Sequence, residues 1–140
     1  LGDVYKRQKQ HRTKTTNRYF NYIYVRMGAH TLIHKRTEDD IWKNLFELPL
    51  VETEKDLSEE EFLACPQFHA LFAEGEVRMV RTLLRGVKHV LSHRVIYTNF
   101  YEVTLPDNSS SFSSYQRVAV EDLGRYAVPR LIHAFLEKYV

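Results

Sequence analysis

The chain has 140 residues, with 20 Lys and Arg against 18 Asp and Glu, and a formal net charge of +2. That length fits one domain with a single core, and a hydrophobic share of 44% excludes an intrinsically disordered chain. Cys65 is the only cysteine, which excludes an internal disulfide and a cysteine-ligated zinc or iron–sulfur site.

The N-terminal segment differs from the rest of the chain. Residues 1–8 resemble a translated sequencing-adaptor junction, and residues 9–17 are polar and basic. We therefore assign residues 1–17 to a linker or an assembly scar and residues 18–140 to the folded domain. A chain that begins in a linker is expected to be a fragment of a longer protein. Neither a signal peptide nor an apolar run of ~18 residues is visible, so we expect no membrane segment and a cytoplasmic setting.

The first part of the domain is predicted to be strands. Residues 18–27 and 30–36 are rich in aromatic and β-branched residues, and Gly28 lies in a two-residue connection that predicts a hairpin. Residues 44–51 form a third short apolar run. Pro49 within it cannot donate a ladder hydrogen bond, which places this strand's end at a sheet edge or exit.

A short helix is predicted to follow. Ser58 and Glu61 have the spacing of a capping box, in which each side chain bonds the other residue's amide. Pro66 then interrupts the helix. One or two further turns are expected before Gly75 ends them.

The second half is predicted as strands, a polar loop and a final helix. The strands are at 77–83, 87–92, 94–104 and 115–120, the loop at 106–114, and the helix begins near Pro129. Together these elements indicate the α+β class, with a mixed β-sheet of five to seven strands flanked by two helices.

Positive charge is concentrated in one segment. Residues 77–101 contain five Arg and Lys residues and two His residues, but no acid until Glu102. Clustered cations favour a partner with a phosphate backbone; solvated strand faces are the alternative at this point. The acidic pair Asp39-Asp40 falls in a turn, where we expect it to be solvated.

Residue spacing gives no catalytic or metal site. His30 and His34 lie about 13 Å apart on an extended strand, too far to share one ion. Ser92 and His93 are adjacent, so their side chains diverge and make a poor nucleophile–base pair. Cys65 is expected to pack as a small apolar residue. We therefore predict no metal site and no catalytic residue in this chain.

Three motifs carry a family resemblance. Residues 41–49 read Ile-Trp-Lys-Asn-Leu-Phe-Glu-Leu-Pro, residues 88–93 read Lys-His-Val-Leu-Ser-His, and residues 126–132 read YAVPRLI. In order and spacing they resemble the W-x-x-L-W-E-F-P run, the H-x-F-S-H loop and the closing proline-led helix of the C-terminal domain of the MutY family of adenine DNA glycosylases.

The resemblance implies a fold and a function. The fold would be Nudix-like, and the domain would read 8-oxoguanine opposite adenine in double-stranded DNA during base excision repair, on bacterial nucleoid DNA. In that family, adenine is excised by a separate N-terminal domain that holds an iron–sulfur cluster and hydrolyses the N-glycosidic bond. That domain is missing here. The chain alone is therefore expected to be inactive and to need no cofactor.

The resemblance also nominates site residues. Leu91, Ser92 and His93 correspond to the lesion-recognition loop, with Leu91 where the family has an aromatic residue. The candidates for contact with the DNA backbone are Lys88, His89, Arg94, Lys35, Arg36 and Lys43.

Two alternatives stay open. A Nudix hydrolase needs spaced glutamates on one helix face to bind Mg²⁺, whereas Glu59, Glu60 and Glu61 are consecutive and fan around the helix. Nucleotide hydrolysis is therefore the weaker alternative. The other is a catalytically degenerate Nudix-like module that binds a protein.

Overall fold

A computed structural model describes residues 16–140. The predicted linker and scar at residues 1–15 lie outside the described residues, and Thr16 and Asn17, assigned to the linker, belong to the first strand. The strands are β1 (Thr16–Arg26), β2 (His30–Lys35), β3 (Phe46–Glu47), β4 (Leu50–Thr53), β5 (Met79–Leu91), β6 (Arg94–Thr104) and β7 (Gln116–Ala119). The helices are α1 (Glu59–Ala64), α2 (Pro66–His69) and α3 (Arg130–Tyr139), with a 3₁₀ helix at Val120–Arg125.

Two sheets form the scaffold. The larger sheet has the order β4-β1-β6-β5 and the smaller one has the order β3-β2-β7. β1 and β6 run parallel, while every other pairing within residues 16–140 is antiparallel. The predicted α+β class with a mixed sheet is confirmed.

The central strands are buried on both faces. Phe20, Tyr22 and Phe100 point to one face, where they pack with Phe135 of α3. We call this cluster the α3-side core. The opposite face carries a second cluster that includes Tyr101 and Phe62 of α1. Two-sided burial explains why β1 and β6 read as nearly continuous apolar runs rather than alternating ones.

The predicted hairpin between the first two strands forms only at its base. Gly28 turns the chain with φ +60°, and one bridge joins Met27 to His30. β2 then leaves to pair with β3 and β7 in the smaller sheet. The hairpin prediction is wrong beyond that bridge, because β6 pairs with β1 along its whole length and β2 pairs with β3 and β7 instead.

The two strands predicted at 77–83 and 87–92 are one strand, β5, with an irregular register between Thr82 and Val87. Gly86 lies in this bulge with φ +72°, and its amide donates to Asn99 Oδ1 at 2.8 Å. The Asn99 amide donates in turn to Asn21 Oδ1 at 3.2 Å. Buried amides on the neighbouring strands therefore hold the bulge in place.

Both predicted helix starts are confirmed. Ser58 Oγ accepts from the Glu61 amide at 3.1 Å, and Glu61 Oε1 accepts from the Ser58 amide at 3.0 Å. At the other end of the chain, Pro129 precedes the first residue of α3. The apolar stripe of α3 closes the α3-side core, with Leu131, Ile132 and Phe135 buried.

The polar loop predicted at 106–114 is fastened by one carboxylate. Glu76 accepts from Ser109 Oγ at 2.6 Å, from Ser111 Oγ at 2.7 Å and from the Ser110 amide at 3.1 Å. The Ser109 and Ser111 hydroxyls, then the Ser110 amide, lower the pKa of Glu76 to about 2. The loop is therefore attached to the segment that leads into β5.

This carboxylate predicts a pH dependence of stability. Since the pKa of Glu76 is lower in the folded state than the usual 4.5, its stabilisation is present above that value and is lost as pH falls toward 2. We expect the melting temperature of Glu76→Gln to vary less than that of the parent chain between about pH 5 and pH 2. Scanning calorimetry across that range measures it. Glu74→Gln, at an exposed neighbouring residue, is the control, and equal pH slopes for the parent and Glu76→Gln would contradict this role.

Candidate nucleic-acid interface

The predicted recognition loop is the tip of the β5–β6 hairpin. Leu91 pairs with Arg94 in the ladder, so Ser92 and His93 form a two-residue turn. Both turn residues are exposed. Leu91 is half-buried and packs against the α3-side core. Its side chain therefore serves the fold rather than projecting as a wedge, and the exposed part of the motif is Ser92-His93.

Three contacts anchor this turn to the scaffold. The Thr16 amide donates to the His93 carbonyl at 3.1 Å, which extends the β1–β6 ladder to the turn. The ring of His89 meets Trp42 edge-on, with 6.0 Å between centroids. Arg94 Nη1 lies 3.4 Å from Asp40 Oδ1. Two of the three anchors come from the segment between β2 and β3.

Asp40 is a shared acceptor for three arginines. Arg18 binds it through two nitrogens, at 2.8 and 2.9 Å, and Arg36 Nη2 lies 2.9 Å away. Arg94 is the third. The hydrogen bond from Arg18 is the main reason that the pKa of Asp40 falls to about 2. The expectation of a solvated Asp39-Asp40 pair is therefore wrong for Asp40, because guanidinium groups from distant parts of the chain surround it.

Arg36, a predicted DNA contact, is used inside the protein. Its Nη1 bonds both oxygens of Glu47, at 3.0 and 3.1 Å, and its Nε donates to the Ile41 carbonyl. Glu47 is 2% exposed and also accepts from the Tyr22 hydroxyl at 2.7 Å. Burial, followed by the Glu47 charge, raises the pKa of Tyr22 well above its usual value. Arg36 therefore neutralises a buried carboxylate.

The predicted lysines lie at the surface. Lys35, Lys43 and Lys88 are all exposed. Lys88 lies opposite Tyr97 in the β5–β6 ladder, on the sheet face away from α3. Lys43 belongs to the turn that carries Trp42, and so lies on the same side of the scaffold as His89. Lys35, at the end of β2, pairs with Phe46 in the smaller sheet.

A second surface lies beside the turn. Tyr19 and Tyr97 are neighbours on β1 and β6, and their rings stack with 5.5 Å between centroids. Val90, two residues before the turn, is 66% exposed. Sequence reasoning missed this surface because both tyrosines fitted a core strand equally well.

The acidic residues after β4 do not fit a Nudix magnesium site. Glu59, Glu60 and Glu61 are exposed on a helix of only six residues, and Glu61 is occupied by the capping box. Asp56 accepts from the Asn99 amide. No group of three His, Cys, Asp or Glu residues within 16–140 converges as metal ligands. The donor set that Mg²⁺ needs is therefore not assembled from these carboxylates.

No helix in the described part of the chain is long and apolar enough to cross a membrane. The longest, α3, has ten residues.

Comparisons with known proteins agree on the fold. The family model described as the NUDIX domain matches residues 21–138. The C-terminal domain of mouse MUTYH, solved in complex with human PCNA, superposes with a TM-score of 0.62 at 15% identity, covering 87% of this chain and 86% of that chain. The MutT protein from Methanosarcina mazei Go1 gives 0.58 at 17% identity, covering 89% and 93%. No curated protein matches the sequence.

At such identities these neighbours show the fold alone, and they include both a MUTYH C-terminal domain and a MutT protein. The family match covers most of the chain and spans β1 to α3. The predicted Nudix-like fold is confirmed, and the chain belongs to the NUDIX domain family.

Proposed function

We propose that this domain recognises 8-oxoguanine opposite adenine in double-stranded DNA, as the recognition module of an adenine DNA glycosylase in base excision repair. The catalytic domain and its iron–sulfur cluster belong to the rest of that enzyme. The observation that carries the proposal is the exposed Ser92-His93 turn, which is anchored to the scaffold at three points. A rigid turn at the cationic end of a sheet suits readout of one base.

The lesion differs from guanine on its Hoogsteen edge. Both bases have the O6 acceptor there; guanine adds an acceptor at N7, whereas 8-oxoguanine has an N7–H donor and an O8 acceptor. The exposed Ser92 hydroxyl can accept from N7–H. Because a hydroxyl can also rotate to donate to guanine N7, discrimination requires a fixed turn in addition to the serine.

Phosphate contacts would hold the DNA at this turn. Lys88 and His89 precede it on β5, and Lys43 lies on the segment that packs against it. Lys35 is the most distant of the exposed candidates along the scaffold. These cations would fix the register of the duplex without reading its sequence. Arg36 leaves this set, because Glu47, Asp40 and Ile41 occupy its nitrogens.

Binding of the full chain to matched duplexes tests the proposal. We expect tighter binding to a duplex with 8-oxoguanine opposite adenine than to one with guanine opposite adenine. Ser92→Ala should lower that preference by ~1–3 kcal/mol, the value of a specific base contact. Ser113→Ala, at an exposed serine of the polar loop, is the matched control. Titration by fluorescence anisotropy at several salt concentrations measures both preference and salt slope.

Other outcomes would favour the alternatives. Equal affinity for both duplexes would contradict lesion recognition. Binding that does not weaken with salt would argue against a nucleic-acid partner and favour a protein-binding module. The candidate contact is then the surface of the half-buried Tyr19–Tyr97 pair and the exposed Val90. Mg²⁺-dependent turnover of an oxidised nucleoside triphosphate would favour a hydrolase. We expect none, because the glutamates of α1 do not converge.

A further inference from the structure

We propose that Asp40 is a positioning residue for the recognition turn, and that Arg94 acts through Asp40 rather than as a phosphate contact. The inference rests on the proposed function for its biological meaning. Lesion preference then depends on the Asp40 carboxylate, which pairs with Arg94 next to the turn and with two further arginines.

The Asp40 carboxylate pairs with arginines through both of its oxygens. Asp40 Oδ1 pairs with Arg18 and Arg94, and Oδ2 pairs with Arg18 and Arg36. Arg18 lies in β1, Arg36 follows β2, and Arg94 is the first residue of β6. One carboxylate therefore joins three parts of the chain at the base of the hairpin.

Arg94 lies directly beside the recognition turn. Arg94 follows His93 directly and pairs with Leu91 in the ladder, so its side chain shares the α3-side face with Leu91. Its side chain is 43% exposed, whereas that of Asp40 is 24% exposed. An arginine that is this accessible remains in place because a partner holds it. Without the carboxylate, Arg18, Arg36 and Arg94 would repel each other, and Arg94 has the most freedom to move away.

The backbone just after Asp40 has an uncommon conformation. Trp42 has φ +59° and Asn44 has φ +71°, a left-handed conformation that is uncommon for a bulky residue and persists only where its surroundings enforce it. This turn places Trp42 between Phe20 and His89. The segment therefore contacts the β5–β6 hairpin at two points: the Trp42 ring meets His89, and Asp40 pairs with Arg94. Such supporting contacts set how accurately a recognition residue is held.

The chain offers a matched control for Asp40. Glu52 also binds Arg18, at 2.7 and 2.8 Å. Within residues 16–140 the Glu52 carboxylate pairs with Arg18 and not with Arg94. Asp40→Asn and Glu52→Gln each remove one negative charge near Arg18, but only the first removes the partner of Arg94. Asp40→Asn also removes the pair with Arg36, whereas Arg94→Gln removes the pair with Arg94 alone. An effect that Asp40→Asn and Arg94→Gln share and that Glu52→Gln lacks therefore isolates the link to the turn.

The test compares four variants of the full chain on the two duplexes. We expect Asp40→Asn and Arg94→Gln each to reduce the preference for 8-oxoguanine over guanine by about fivefold, and the double variant to lose little more. Glu52→Gln should retain the preference. We also expect the salt slope of Arg94→Gln to equal that of the parent. A slope smaller by about one, with affinity reduced equally on both duplexes, would mark Arg94 as a phosphate contact and overturn the inference.

A second measurement separates this inference from the proposed function. Amide hydrogen exchange of Ser92, His93 and Arg94 is measured without DNA in the same variants. Faster exchange in Asp40→Asn than in Glu52→Gln supports the positioning role, and equal exchange contradicts it. If the parent chain shows no lesion preference, the proposed function fails, while the exchange rates still decide whether Asp40 holds the turn.

Discussion

Arg36→Ala is expected to destabilise the folded domain by ~3–5 kcal/mol, because it leaves a buried carboxylate without its cation. Glu47 is 2% exposed and receives two hydrogen bonds from Arg36 Nη1. The Tyr22 hydroxyl and His34 Nε2, which lies 2.8 Å from Glu47 Oε2, would be the polar groups left beside it. Asp40 loses one of its three arginines in the same variant. Urea denaturation followed by fluorescence measures the free energy of unfolding.

Lys35→Ala is the control, since it removes the neighbouring exposed cation. We expect that variant to unfold within about 0.5 kcal/mol of the parent. Glu47→Gln with Arg36→Met, which removes both charges, should be more stable than Arg36→Ala. If Arg36→Ala instead keeps full stability and loses DNA affinity, the arginine contacts DNA as the motif suggested, and its assignment to the fold is wrong.

Phe100→Ala is expected to cost a similar ~3–5 kcal/mol, the range for truncation of a buried aromatic residue. Phe100 is fully buried on β6, between the ring of Tyr22 at 5.6 Å and the ring of Phe135 at 4.1 Å. The substitution removes the contact that joins α3 to the centre of the larger sheet. Calorimetry and near-ultraviolet circular dichroism measure the loss.

Val90→Ala is the comparison for that variant, because Val90 is 66% exposed on β5. It should leave the melting temperature nearly unchanged. A small effect of Phe100→Ala would show that the α3-side core repacks around the space. A large effect of Val90→Ala would contradict the exposed position of this side chain.

Local features of the fold were predictable from the sequence. The run at 94–104 is β6 with the same bounds, and the spacing of Ser58 and Glu61 is a capping box. Strand pairing was less accessible. β2 leaves β1 after a single bridge and pairs with β3 and β7, while β1 pairs along its whole length with β6. These partners lie far along the chain, so local sequence does not reveal them.

In the candidate site, too, local features were predictable from the sequence and long-range contacts were not. The Ser92-His93 turn was found because its residues are adjacent and match a motif. The use of Arg36 and Asp40 was not found, because Glu47 and Arg94 reach them only through the folded sheet. A charge count treats an arginine on the surface and one bound to a buried carboxylate alike. The sequence motif therefore identified the exposed Ser92-His93 turn but not the contacts that hold the turn in place.

The bulge in β5 has a consequence for how the protein behaves at high concentration. β5 has 13 residues and lies at the edge of its sheet, so one side of its backbone is open to pairing with a strand of another molecule. The register breaks near Gly86, midway along the strand, and the exposed Lys88 follows it. A flat, uncharged edge of that length would invite aggregation. We therefore expect the bulge that the bond from Gly86 to Asn99 holds to disfavour pairing of β5 with a strand of another molecule.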